Sequence, residues 1–257
     1  MTIPQVPPYF TDDLFHVLGE EERPNYRWLI VGPARSGSIW HTDPNATSAW
    51  NAVVTGAKKW ILYPPECVPP GVHPSPDRTL VGGPLSPLEW LLDFYEEATG
   101  PHVEAARRPL ECVCRAGEVI YVPTGWWHAV INLEPSIAIT QNFVDRHNLP
   151  TVMKFLRDDI DLISGVPGRT DAEVAALAAQ MEAGIKAQRP DLAHLAAPPP
   201  KAKSVVESTG LAGIAWQQPA QKKKMKAQSC EGGDATGAEG KGEPAEKKPC
   251  FRFGFDF

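Results

Sequence analysis

The chain has 257 residues, 42% of them hydrophobic and 9% aromatic, which is enough apolar material for one sizeable core. No apolar run approaches the roughly 18–20 residues that a membrane-crossing helix needs, and Met1 to Phe10 has neither the basic nor the apolar part of a secretory signal. The net charge of −6 is uneven: residues 191–257 hold ten Lys/Arg against eight Asp/Glu, a balance of +2, which leaves −8 for residues 1–190 and argues against a broad nucleic-acid-binding face there.

Short β-branched or aromatic runs dominate the first 145 residues. The expected strands are Arg27–Val31, Asn51–Val54, Lys58–Tyr63, Leu110–Cys114, Glu118–Val122, Trp127–Leu133 and Ser136–Val144. Gly and Pro punctuate them, as at Gly56, Pro64-Pro65, Gly117 and Pro123, and 27 prolines in all make a turn-rich chain. Closely spaced short strands of this kind predict an antiparallel sandwich or barrel. One helix interrupts at Leu88–Ala98, with Leu88, Leu91, Leu92 and Tyr95 on one face. Two more follow the strands. The first covers Thr151–Ile163, with Phe155 and Leu156 as core candidates. The second runs over Asp171–Lys186, opened by a Thr170/Glu173 capping box and carrying Val174, Leu177, Met181 and Ile185. The organisation read from this is a β domain over 1–148, helices over 149–190, and a tail over 191–257. From Gln217 to Pro249 that tail has almost no large apolar residues, so it is expected to be largely disordered. It ends in Phe251-Arg-Phe253-Gly-Phe255-Asp-Phe257, a period-two pattern that suits a short added strand.

His41-Thr42-Asp43 places two metal-ligand types two residues apart, and in an extended segment both point the same way. His128, at the start of an expected strand, is a third candidate. Two histidines and one carboxylate make the facial triad of non-haem Fe(II) oxygenases, which leaves adjacent coordination positions open. Alone, that spacing is a weak signal. Other motifs carry less: Gly32-x-x-x-x-Gly37 lacks the lysine of a phosphate loop, and the Asn45-Ala-Thr47 sequon is idle without secretion. Cys112 and Cys114 have the spacing of a core pair on one strand face.

The surrounding residues strengthen the triad. The run from Arg35 through Trp40-His41-Thr-Asp43-Pro to Trp50-Asn51 and Gly56-Ala-Lys58-Lys-Trp60 resembles the JmjC (Jumonji C) oxygenases. So does Gly117-Glu-Val-Ile-Tyr-Val-Pro123-Thr-Gly-Trp-Trp-His128-Ala-Val-Ile-Asn132, followed by Ile137-Ala-Ile-Thr140-Gln-Asn142. Within that family the resemblance is to the arginine demethylase and lysyl hydroxylase subgroup, and it covers about residues 9–165. It implies a double-stranded β-helix of cupin type, with His41, Asp43 and His128 as ligands of Fe(II). It implies Lys58, rather than Lys59, as the anchor of the cosubstrate 2-oxoglutarate, with Thr140 and Asn51 beside it. Dioxygen is the second cosubstrate. The implied activity couples oxidative decarboxylation of 2-oxoglutarate to hydroxylation of a protein side chain, most simply a lysine; hydroxylation of an N-methyl carbon would release formaldehyde and count as demethylation.

Two rival readings stand beside this one: a catalytically inactive cupin-fold scaffold, and an RNA-associated protein that uses Lys222-Lys-Lys-Met-Lys226 in its tail. The expected setting is intracellular, in nucleus or cytoplasm with the nucleus favoured, without membrane contact and with a protein or peptide as partner. Only nine residues precede Phe10, whereas the resembling enzymes carry a longer stretch that extends one sheet. The short form, or a truncated gene model, leaves a sheet edge to be covered by a second copy through helices 151–186, by Phe251–Phe257, or by another protein.

Overall fold

The computed structural model describes residues 6–75 and 81–198, all within one compact unit. Among the described residues there are ten strands: β1 (Arg27–Gly32), β2 (Gly37–His41), β3 (Ser48–Thr55), β4 (Ala57–Tyr63), β5 (His73–Pro74), β6 (Val81–Gly82), β7 (Leu110–Arg115), β8 (Val119–Val122), β9 (Trp127–Asn132) and β10 (Ser136–Phe143). Eight of them form two four-stranded antiparallel sheets, in the orders β1-β10-β3-β8 and β2-β9-β4-β7. This is the double-stranded β-helix that the sequence resemblance implies. Neighbours in each sheet come from distant parts of the chain, so the sandwich closes through long-range pairing rather than hairpins alone.

Alternation sorts each strand between the space between the sheets and the outside. Trp60, Leu62, Cys114, Val122 and Val130 form the inner cluster between the sheets. On the outer face of the second sheet, Trp40, Ile61, Tyr63 and Trp127 are buried against Trp90. Both faces of β4 are therefore buried, which explains its almost unbroken apolar run.

The helix expected at Leu88–Ala98 is two helices, α1 (Pro87–Asp93) and α2 (Tyr95–Thr99), which meet at Phe94. Ser86 caps α1 by accepting from Glu89 N, with Pro87 in the first turn. The buried face also differs from the expected leucine stripe. Trp90 is the buried residue, set edge-on to Trp40 at 4.9 Å, and Leu91, Phe94 and Tyr95 pack around it. Leu92 is 85% exposed and Leu88 is exposed as well. Spacing in this short segment suggested a leucine face; a tryptophan that fills the gap against Trp40 decided the orientation.

The C-terminal helices are α3 (Leu149–Asp158), α4 (Asp171–Gln188) and α5 (Ala193–Ala196). The Thr170/Glu173 capping box opens α4 as expected. Ala178, Met181 and Ile185 join Leu14, Phe15, Val152, Met153 and Leu156 in a second core, and Leu177 is buried as well. Phe155 and Val174 are half-buried. Helical structure continues past residue 190, because Leu192 and Ala196 are buried in the same cluster. The segment ahead of β1 is tied down by Asp13, whose carboxylate pairs with the buried Arg23 at 2.6 Å and accepts from Phe15 N and Val144 N.

Among the described residues no helix is long and apolar enough to cross a membrane. Lys222–Lys226 and Phe251–Phe257 lie outside the described residues.

Candidate metal centre and cosubstrate pocket

A cavity of about 530 Å³ opens between the sheets at the His41 end. The strand that brings His41 there was not foreseen. Gly37-Ser-Ile-Trp-His41 lacks regular alternation because β2 carries a bulge: Ser38 pairs with Val130, yet His41, three residues on, pairs with His128, only two residues back. That extra residue switches phase. Ser38 and His41 both line the cavity, while Trp40 turns outward onto Trp90. Gly37 is fixed by contact, since a Cβ there would lie 1.8 Å from Val130 O.

Direct opposition across β2 and β9 sets the two imidazoles 4.1 Å apart, centroid to centroid. His41 Nδ1 donates to Ile39 O at 2.7 Å and His128 Nδ1 to Trp126 O at 3.1 Å. A carbonyl only accepts, so each ring keeps its Nε2 lone pair free for another partner. Asp43 follows two residues on, and its Oδ2 is shielded from solvent without a hydrogen-bond partner among the described residues. One donor atom from each of His41, Asp43 and His128 falls within 4.8 Å of the others. Burial, with the Coulombic effect of His41 second, pulls the His128 imidazole down to about 3, so it stays neutral; burial pushes Asp43 up to about 6, opposed by His41. Two imidazole nitrogens and one unpartnered carboxylate oxygen fit a divalent ion of the facial-triad kind.

The loop that presents Asp43 is pinned at three points. Asn45 donates to Ser164 O at 3.0 Å and accepts from Ser164 N at 2.9 Å, so the sequon asparagine is a structural clasp. Thr124 donates to Ala46 O, and Asn142 donates to Thr47 Oγ1 at 2.8 Å. These ties hold Asn45 and Ala46 at positive φ, 55° and 53°. For alanine that conformation costs on the order of 1 kcal/mol, and the surrounding bonds offset it.

Further along the cavity wall stands Lys58, only 3% exposed. Its Nζ donates to Asn132 Oδ1 at 2.7 Å, and burial lowers its pKa. Among the described residues no carboxylate pairs with it. Lys59, on the opposite face of β4, bridges to Glu111 at 3.3 Å near the surface. A buried ammonium with one neutral partner favours an anionic ligand. Facing it, Trp28, Thr140, Asn51 and Ile120 stand in one cross-strand row over β1, β10, β3 and β8. Thr140 Oγ1 donates to Trp50 O at 3.1 Å, and Asn51 Oδ1 is buried without a partner among the described residues.

All six residues singled out from the sequence therefore line one cavity. Asn132, Asn142 and Trp60, which also line it, touch these groups or the loop beside them. Asn132 fixes Lys58 and donates in turn to Ser36 Oγ at 2.9 Å; Asn142 hydrogen-bonds at the Asp43 loop; Trp60 stacks on His128 at 5.9 Å. Period two from His128 reaches Asn132, and period two from Thr140 reaches Asn142, so strand alternation alone would have found both.

A model of the cupin-like domain matches residues 9–148. The chain belongs to the cupin-like domain family. Its relatives include the arginine-specific demethylase JMJ22 of Arabidopsis thaliana, 57% identical over 166 residues, which is 64% of this chain and 32% of that protein. The bifunctional arginine demethylase and lysyl-hydroxylase psr-1 of Caenorhabditis elegans is 40% identical over 57% of this chain and 36% of its own length. The human 2-oxoglutarate and iron-dependent oxygenase JMJD4 is 34% identical over 60% of this chain and 36% of its own. The subgroup that the sequence motifs resemble is thus found among the relatives of this cupin-like domain. It spans about a third of the length of each of these three.

Proposed function

We propose that the chain acts as an Fe(II)- and 2-oxoglutarate-dependent dioxygenase that hydroxylates a protein side chain, a lysine first, with removal of an N-methyl group as the same chemistry on a methylated substrate. The observation that carries this is the pairing, in one cavity, of a His-Asp-His donor set with a buried lysine that has no carboxylate partner among the described residues. His41, Asp43 and His128 would hold the metal; bound Fe(II), with 2-oxoglutarate and dioxygen, supplies the oxidising power that places oxygen on a C–H bond.

The protein's own residues bind and orient. Lys58 gives a point charge to the distal carboxylate of 2-oxoglutarate, and Thr140 and Asn51 reach the same pocket from the opposite sheet. Asn132 keeps the ammonium from swinging away, since it is anchored at Ser36. The carbonyls of Ile39 and Trp126 lock the imidazole tautomers. Trp60, Val122 and Val130 exclude water from the inner wall. The relatives named as demethylase, lysyl hydroxylase and oxygenase support this reading. RNA contact through Lys222–Lys226, a nuclear location and pairing through helices 151–186 stay expectations of the sequence; the buried faces of α3 and α4 pack into their own core.

The test is succinate formation from 2-oxoglutarate with and without Fe(II), run with a peptide library read by mass spectrometry. Iron-dependent succinate with +16 shifts on lysine peptides is the expected result, and −14 shifts on methylated peptides mark the demethylating outcome. Absence of succinate at every metal and peptide concentration contradicts the proposal and leaves a binding protein.

A further inference from the structure

Among the described residues β1 is the edge of its sheet, with β10 as its one hydrogen-bonded neighbour. The direction of its free groups follows from a single bond. Asn142 N donates to Tyr26 O, so Tyr26, and by alternation Trp28 and Ile30, turn their backbone groups toward β10. Arg27, Leu29 and Val31 therefore aim theirs outward, three N–H and three C=O groups along one line. The side chains add to this. Trp28 and Ile30 line the cavity; Leu29 and Val31 alternate with them at 65% and 66% exposure, Val31 touching the cavity rim and standing opposite the exposed Ile137. Arg27 at the start of the strand turns its guanidinium to Gln141, and from Leu29 to Val31 the edge carries no charge, proline or bulge to keep other strands off.

The chain contains a segment with the matching pattern. Phe251, Phe253, Phe255 and Phe257 alternate with Arg252, Gly254 and Asp256, so an extended Phe251–Phe257 has one face wholly aromatic and the other small or polar. Between Gln217 and Pro249 no other stretch offers such a face. We propose that Phe251–Phe257 adds to the free edge of β1 as a fifth strand, with its phenylalanines over Leu29, Val31 and Ile137. Seven residues match the six of β1. Aromatic side chains against β-branched ones are favoured cross-strand partners, and main-chain bonds to Arg27, Leu29 and Val31 supply the affinity. Arg252, Gly254 and Asp256 then lie on the cavity side, beside Trp28 and Ile30 at its rim. The 52 residues between Pro198 and Phe251 span roughly 170 Å at full extension, so reach imposes no obstacle.

Hydrogen exchange of individual amides in the full chain tests this. The Leu29 and Val31 amides should exchange at least about ten-fold more slowly than in a chain lacking residues 251–257, and a Phe253→Asp/Phe255→Asp double variant should match the deletion. The amides of Trp28 and Ile30, which face β10, should stay protected in all three, which shows that the sandwich is still folded. A free peptide of residues 251–257 should restore protection to the deleted chain. Fast exchange at Leu29 and Val31 in the full chain overturns the proposal, as does protection that survives the deletion. Protection in the full chain that rises with protein concentration also overturns it, and names a second copy as the occupant.

Discussion

The two walls of the cavity are built to different standards. The sheet β2-β9-β4-β7 carries His41, His128 and Lys58, and its outer face, with Trp40 and Tyr63, is buried under Trp90. The opposite sheet contributes the uncharged Thr140 and Asn51, and at its β1 end the outer face is open at Leu29 and Val31. Groups that must hold an ion in fixed geometry, or keep a charge out of water, sit on the wall packed from both sides. Groups that only donate or accept a hydrogen bond sit on the wall that is free at one edge. Rigidity is placed where a shift of a fraction of an ångström matters.

Substitutions can break that comparison. The largest effect is expected at the donors: His128→Ala should reduce 2-oxoglutarate turnover by about 1000-fold or more, which is roughly 4 kcal/mol or more of transition-state stabilisation, with the circular-dichroism spectrum unchanged. Behind the same wall, Trp90→Ala leaves a cavity under Trp40 and should lower stability by about 3–5 kcal/mol in urea titration. Next comes the lysine pair on β4. Lys58→Ala should raise the 2-oxoglutarate requirement about 10–100-fold, the worth of a charged hydrogen bond, while Lys59→Ala, on the solvent side, should change it less than about two-fold. Equal effects would place the wrong lysine in the cavity. Lys58→Met sharpens the point: it removes an ammonium that burial destabilises, so the ligand-free chain should gain about 1 kcal/mol in thermal unfolding and lose its stabilisation by added 2-oxoglutarate. The smallest effect belongs to Leu92→Ser. At 85% exposure it should stay within about 0.5 kcal/mol of the parent, although its helix position suggested a core residue.

That last contrast marks how far the sequence could be read. Helix α4 was legible because its signals are local: a Thr170/Glu173 capping box and a long 3.6-residue stripe that ends in buried Ile185. The pair α1 and α2 was half-legible, since its position was clear but the buried face depended on Trp40, fifty residues earlier in the chain. Strand β2 was invisible, because the bulge that turns His41 inward also destroys the alternation by which a strand is recognised. In the site, the H-x-D pair and His128 were candidates by ligand type and spacing, and family resemblance strengthened them and named Lys58, Thr140 and Asn51. Asn132 and Asn142 were present in the same motifs without a role, because roles such as holding Lys58 or bracing the Asp43 loop exist only once strands β4, β9 and β10 are paired in space.

The central claim is that His41, Asp43 and His128 form one metal site. Its most direct test is the iron content of the purified chain after anaerobic loading with Fe(II) and removal of free metal, measured by elemental analysis beside Asp43→Ala. The account predicts one equivalent of iron in the parent and far less than one in the variant, with both chains folded. Full iron in Asp43→Ala, or none in the parent, would contradict it.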